Sequence, residues 1–287
     1  MACCAQTRLE VSRIARIVHS GKRGHRIMAV LEFRFDESWN RRFMSVGGWI
    51  GEEGEWKRLE TSWQRHIDRC NHKNKPDQRI SRAHASHMHK FKNEFEKWNQ
   101  PMADKFQRKL IGFLAKRSMV AITMGVDVDA LITTFPDMKS TKEKHWRAYT
   151  LCIKFTMNEI GKLMARQRPD DQVHLVHDHG SWDVQALETF NFMVDDKRWK
   201  YRKIFTGITP LTGKQSVGLQ AADLIVYEAH KAIKDRVVGD TDELSETVQA
   251  FLEKKVPVIG KYLDHETVVA LSEELDRARG KKITAIK

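Results

Sequence analysis

Cysteine is scarce in this 287-residue chain. The four present, Cys3, Cys4, Cys70 and Cys152, include no pair at the two-residue gap of a zinc knuckle or redox motif, so free thiols are expected. Long apolar runs are missing too. Nothing approaches about 18 consecutive apolar residues, which argues against a membrane span. No short apolar block with a small-residue cleavage site opens the sequence, and a cytoplasmic location is the expectation. Neither an internal repeat nor a low-complexity linker is evident. Acidic residues are rare at the start: residues 1–26 hold six Arg or Lys against Glu10 alone. That stretch reads as a basic N-terminal extension, with Leu9, Ile14, Ile17 and Val18 at loosely helical spacing before a turn at Ser20–Gly24.

What is present points to a folded, basic protein. A hydrophobic content of 41% suits a globular chain. Fifty Lys and Arg against 38 Asp and Glu leave a net charge of +12, which attracts polyanions through counterion release and long-range steering. Nucleic acid is the first candidate partner; a merely soluble basic surface is the alternative.

Leu31, Phe33 and Phe35 alternate with Glu32, Arg34 and Asp36, the period-two pattern of a strand with one buried face. Its end carries Asp36, Glu37 and Ser38, which also suit the start of a turn. Phe43 to Ile50 reads as an antiparallel partner, with Gly47 and Gly48 as a candidate bulge. Trp56, Leu59, Trp63, Ile67 and Cys70 then predict an amphipathic helix from near Glu52. Phe95 to Phe113 predicts helix broken near Pro101, and Met119 to Val128 a strand. Trp146, Tyr149, Ile153, Met157, Ile160 and Met164 predict a long helix from His145 to about Gln167. Gln172 to Val176 reads as a buried strand emerging at His177-Asp178-His179-Gly180. Ser181 or Asp183 is expected to cap a helix reaching Met193, Tyr201 to Ile208 to form a strand, and Ser216 to start a helix reaching Lys234. From Leu244 to Arg279 two helices are expected, separated near Pro257.

Three acids stand out. Asp36 and Asp178 lie at strand ends, and Asp223 sits inside the apolar helix Gln220-Ala221-Ala222-Asp223-Leu224, sharing a face with Gln220 and Tyr227. Asp223 is read either as satisfied by a helix N-terminus or a nearby Arg, or as a ligand. Convergent carboxylates suit hard divalent cations, and two such ions can activate water and stabilise both reacting oxygens of a phosphodiester. Glu37 and Glu228 are weaker candidates, expected to be solvated or supporting groups, and Asp183 is expected to be a cap. His84, His87 and His89 lack a convincing fourth zinc ligand; His84 or His87 lining the site fits better. His177 and His179 flank Asp178 and are read as proton shuttles or as exposed residues. Most tryptophans fall on core-facing positions, whereas Trp39 adjoins the acid and is read as able to stack on a base.

In chain order, Phe35-Asp36-Glu37-Ser38, a glycine-containing second strand, His84-Ala85-Ser86, Asp178-His179-Gly180 and Ser216 through Tyr227 (SVGLQAADLIVY) resemble the domain-of-unknown-function 3800 family, a branch of the RNase H-like superfamily. The resemblance covers roughly residues 27–235, and its most specific part is the Leu-Gln-Ala-Ala-Asp-Leu helix together with the Asp-Glu-Ser strand. It implies an α/β fold with an RNase H-like mixed sheet flanked by helices, and by position it nominates Asp36, Asp178 and Asp223 as metal-binding catalytic acids. Accessory candidates are Glu37, His84, His87, His179 and Gln220. Trp39 stands where the family has glycine, and His87 where it often has an acid; either departure bears on a fourth ligand.

The chain is therefore expected to be a nuclease using two Mg²⁺ or Mn²⁺ ions on RNA or DNA, with Asp36 bridging them and Asp178 and Asp223 holding one each. Family context suggests phage defence or mobile-element biology. A protein partner or homodimer is a further candidate. The alternative is a non-catalytic nucleic-acid-binding module with a degenerate RNase H-like site. Residues 236–287 are expected to form a helical extension packed on the core.

Overall fold

The computed structural model describes residues 29–135, 140–213, 216–239 and 245–273. The basic N-terminal extension, with Cys3 and Cys4, lies outside the described residues. In order run β1 (Val30–Trp39), β2 (Phe43–Glu52), α1 (Glu53–Lys73), α2 (Ala85–Lys90), α3 (Gln100–Leu114), β3 (Val120–Asp127), α4 (Val128–Thr134), α5 (Thr141–Gln167), β4 (Gln172–Asp178), α6 (Asp183–Asp195), β5 (Phe205–Leu211), α7 (Val217–Val238), α8 (Glu246–Glu253) and β6 (Val258–Leu263).

The strands form one mixed sheet in the order β5-β4-β1-β2-β3-β6. β1, β2 and β3 pair antiparallel as a meander, while β4 runs parallel to β1, β5 to β4 and β6 to β3. This is the mixed α/β sheet flanked by helices that the sequence predicts. The alternation in β1 divides the layers. Phe33 and Phe35 enter a core shared with Tyr149, Ile153 and Met157 of α5, whereas Trp49 of β2 joins Trp56, Leu59 and Trp63 of α1 and Ala221, Leu224 and Ile225 of α7.

Helix α7 crosses β1 and β2, and its entry is fixed by residues that permit close approach. Ser216 caps it by accepting from Leu219 N and also takes a hydrogen bond from Arg34 Nη1 at 3.3 Å. At Gly218 a Cβ would fall 2.3 Å from Arg34 Cδ and 2.9 Å from the Trp56 ring, so only glycine lets the helix lie this near the strand. Arg34 is buried between Glu32 and Glu60 and stacks on Trp56.

Four expectations need correction. The β1–β2 register runs without interruption through Asp36–Gly47 and Phe35–Gly48, so there is no bulge at the glycines. Pro101 sits in the first turn of α3, where its missing N–H costs nothing, and Asn99 caps that helix. The strand expected from Tyr201 begins only at Phe205, after a 3₁₀ turn. The C-terminal region is not purely helical: Val258–Leu263 is an edge strand of the same sheet. Cys70 and Cys152 are free, as expected. Among the described residues no helix is long and apolar enough to cross a membrane.

Candidate active site

Parallel pairing of β1 with β4 matches Phe35 to His177, so Asp36 and Asp178 follow side by side at the C-terminal ends of neighbouring strands. Antiparallel neighbours could not deliver both acids to one end from equivalent positions. Helix α7, lying over β1 and β2, brings Asp223 to the same end.

The three carboxylates feel one another. Burial pushes the Asp36 carboxyl well above its ordinary range, and the nearby charges of Glu37, Asp223 and Asp178 push it further; Glu37 N donates to Asp36 Oδ1 at 2.8 Å as partial relief. Asp178 is also raised by burial, against hydrogen bonds from the backbone of Gly213, at 2.7 Å, and His179, and against the charge of Arg82. Asp223 Oδ2 accepts from Ala85 N at 2.8 Å and lies 3.0 Å from His84 Nδ1. One of the two roles open to Asp223, satisfying a helix N-terminus, is thus filled by the first residue of α2, while its side chain keeps 16% of its surface in solvent.

The accessory candidates divide. Glu37 is not a solvated bystander: burial, with the charge of Asp178, raises its carboxyl to about 7, and its own backbone N–H holds Asp36 Oδ1. His84 touches Asp223, and His87 stacks on His84 with ring centroids 3.8 Å apart and a nitrogen 3.1 Å from Asn93 Nδ2. His89 lies apart, against Tyr227. His179 pairs with Asp183. His177, one of the two histidines read as exposed or shuttling, is buried; it packs on Phe35, and its Nδ1 lies 2.9 Å from the Asp178 carbonyl oxygen.

Gln220 is fully engaged within the protein. Its Oε1 accepts from Trp63 Nε1 at 3.1 Å and Ala83 N at 3.0 Å, and its Nε2 donates to the Gly213 carbonyl at 3.2 Å. It therefore ties together the two loops whose amides hold Asp223 and Asp178. Glu228 is buried rather than solvated, accepting from Gln107 and Ser245 to join α7 to α3 and the start of α8. Asp183 is not the N-cap of α6, which is Trp182; it accepts from Gly180 N at 2.9 Å and closes the loop after Asp178.

Three neighbours of the site carry no sequence signal for that position, Asp183 being legible only as a helix cap. Arg82 acts on Asp178 from the loop before His84 and was detectable only as a basic residue beside the His-Ala-Ser segment. Asp183 adds its charge to the group around Glu37. Tyr149, fully buried on α5, lies near Glu37, Asp36 and Asp183, and its hydroxyl has no hydrogen-bond partner among the described residues. Nothing in its helical spacing separates it from an ordinary core aromatic.

The donor set suits a hard divalent cation. Mutually repelling carboxylates with backbone-fixed oxygens are stabilised when a cation offsets their charge. Among the described residues no three His, Cys, Asp or Glu side chains are grouped closely enough to hold an ion by themselves. Mg²⁺ ordinarily keeps several waters and takes one or two carboxylates plus substrate phosphate oxygens, so these acids fit it without a closed cage.

No family model matches this chain, and no curated protein does. Among solved structures, a chain of the PCNA:RNase HII complex from Archaeoglobus fulgidus is similar over 78% of this chain and 87% of that one, at 8% identity and a TM-score of 0.36. A likeness at that score carries no argument, and function has to be read from the residues themselves.

Proposed function

We propose that the chain is a metal-dependent phosphodiesterase of the RNase H-like type, akin to the domain-of-unknown-function 3800 family, acting on RNA or DNA. The observation that carries this reading is the convergence of Asp36, Asp178 and Asp223 at one end of the sheet in a chain of net charge +12. An acidic centre in a basic protein suits a polyanionic substrate approached through cations.

In this reading Asp36, Asp178 and Asp223 hold Mg²⁺ or Mn²⁺, two ions by the resemblance. When bound, such ions supply Lewis-acid stabilisation of the attacking and leaving oxygens. The chain's own groups orient the acids: Gly213 N fixes Asp178, Ala85 N fixes Asp223 with the His84 ring 3.0 Å away, and Glu37 N fixes Asp36. Arg82 supplies positive charge beside Asp178, where a phosphate would approach. Phage defence and mobile-element biology belong to this proposal through the family resemblance alone.

The test is incubation of the purified chain with labelled single-stranded, double-stranded and hybrid RNA and DNA in Mg²⁺, Mn²⁺ or EDTA. At least one substrate is cut only with metal, and Asp36→Asn and Asp178→Asn each slow cutting by orders of magnitude. Binding that survives EDTA with no cleavage of any substrate overturns the enzyme reading in favour of a nucleic-acid-binding module.

A further inference from the structure

Each acid-bearing strand runs on into a tryptophan, and the two rings meet. Trp39 follows Asp36 by three residues and Trp182 follows Asp178 by four. Their centroids are 6.3 Å apart with planes at 87°. Trp182 in turn stacks on the buried Tyr149 at 4.9 Å, and His145 meets Trp39 at 5.4 Å and 62°. The His145 ring is itself anchored, with Nε2 2.8 Å from the carbonyl oxygen of Asn40. Trp39 is therefore braced on two sides while 54% of its surface stays in solvent.

A lone exposed apolar side chain needs no explanation, but this one differs. It is held in a fixed orientation by an aromatic and an imidazole, three residues beyond Asp36 on the same strand and on the sheet face of Glu37, in a protein that buries Trp49, Trp56 and Trp63 completely. A braced indole loses little conformational freedom when a flat ligand lands on it. Arg41, exposed two residues further along the same turn, adds a cation suited to a phosphate.

The geometry points to Trp39 as a stacking shelf for an unpaired nucleobase, which makes the substrate class single-stranded nucleic acid; this inference rests on the function proposed above. A base inside a duplex has both faces covered by its neighbours and cannot use the shelf, whereas an unstacked base can.

The experiment measures binding of a short labelled single strand, and of the same sequence as a duplex, to the full chain in EDTA. Trp39→Leu keeps an apolar side chain against Trp182 and His145 but removes the π face; Trp39→Phe keeps one. The expected result is about tenfold weaker single-strand binding by Trp39→Leu, most of the affinity retained by Trp39→Phe, and duplex binding within about twofold in both. The single strand quenches tryptophan fluorescence in the wild type and less in Trp39→Leu. Equal loss for single strand and duplex, or no loss for either, overturns the shelf. A wild-type chain that binds neither form overturns it together with the nucleic-acid reading. Single-strand binding that depends on Trp39 without metal-dependent cleavage supports the shelf and overturns only the nuclease.

Discussion

Gln220 Nε2 donates to the Gly213 carbonyl at 3.2 Å, while Gly213 N donates to Asp178 Oδ1 at 2.7 Å, so an α7 side chain positions a carboxylate on β4 through one shared residue. Replacing Gln220 by Ala strands Trp63 Nε1, Ala83 N and the Gly213 carbonyl in a buried region. The expected cost is about 3 kcal/mol of unfolding free energy, read by denaturant titration. Gln220→Glu turns the donor into an oxygen facing the Gly213 carbonyl and buries a further carboxylate, so it is expected to cost at least as much as Gln220→Ala.

Close backbone approach makes a second prediction. A Cβ on Gly48 would lie 2.0 Å from the Arg34 carbonyl oxygen and 2.6 Å from Phe35 Cα. Both obstacles are main chain of the central strand and cannot rotate away. Gly48→Ala is expected to cost about 3 kcal/mol or more, seen as a lowered denaturation midpoint or loss of soluble protein.

Strands and helices with strong periodicity were legible in the sequence, and so was the end of the sheet at which the acids lie. Asp36 and Asp178 could be placed because each follows an apolar strand, and Ser216 because it precedes an apolar helix. β6 was not legible: it is a parallel edge strand interrupted by Gly260 and Lys261 with only Leu263 buried, so neither alternation nor an apolar run marks it, and Pro257 resembles a helix separator. Gln220 carried a helical face position but no sign that its hydrogen bonds go to Trp63 of α1 and to two loops distant in sequence. Glu37 alternates away from Asp36 along the strand, yet it is buried enough for the two charges to act on one another, a tertiary outcome that period-two reasoning cannot supply.

Tyr149 yields a prediction of opposite sign. Its buried hydroxyl has no partner among the described residues, so Tyr149→Phe removes a desolvated polar atom and keeps the ring stacked on Trp182. Thermal or denaturant unfolding is expected to show a gain of about 1 kcal/mol. A loss of stability would mean that the hydroxyl has a partner, such as a bridging water.

His230 sets a pH dependence. Burial, with Lys234 nearby, lowers it from 6.5 to about 4, and it sits between Asn40 and Ser45 as a neutral ring. Because the folded value is depressed, the unfolded chain takes up the proton first. The contribution is whole above about pH 6.5 and is lost as pH falls from there towards 4. Between pH 7 and pH 5 this one group costs about 2 kcal/mol. The raised carboxyls of Asp36 and Glu37 act in the opposite direction, so the measurement is the difference in slope between the wild type and His230→Gln.

The central claim of the proposal is that Asp36, Asp178 and Asp223 form one acidic centre that recruits divalent ions, each ion held by one or two of these acids and by water, and it can be tested without knowing the substrate. Mn²⁺ binding is measured by calorimetry or by the loss of the free-ion electron paramagnetic resonance signal, for the wild type and for Asp36→Asn, Asp178→Asn and Asp223→Asn. Saturable binding by the wild type is predicted, weakened at least about tenfold in each variant, with a rise in melting temperature that the variants lose. Mn²⁺ binding of equal strength in the wild type and all three variants would contradict the account and place the ion elsewhere.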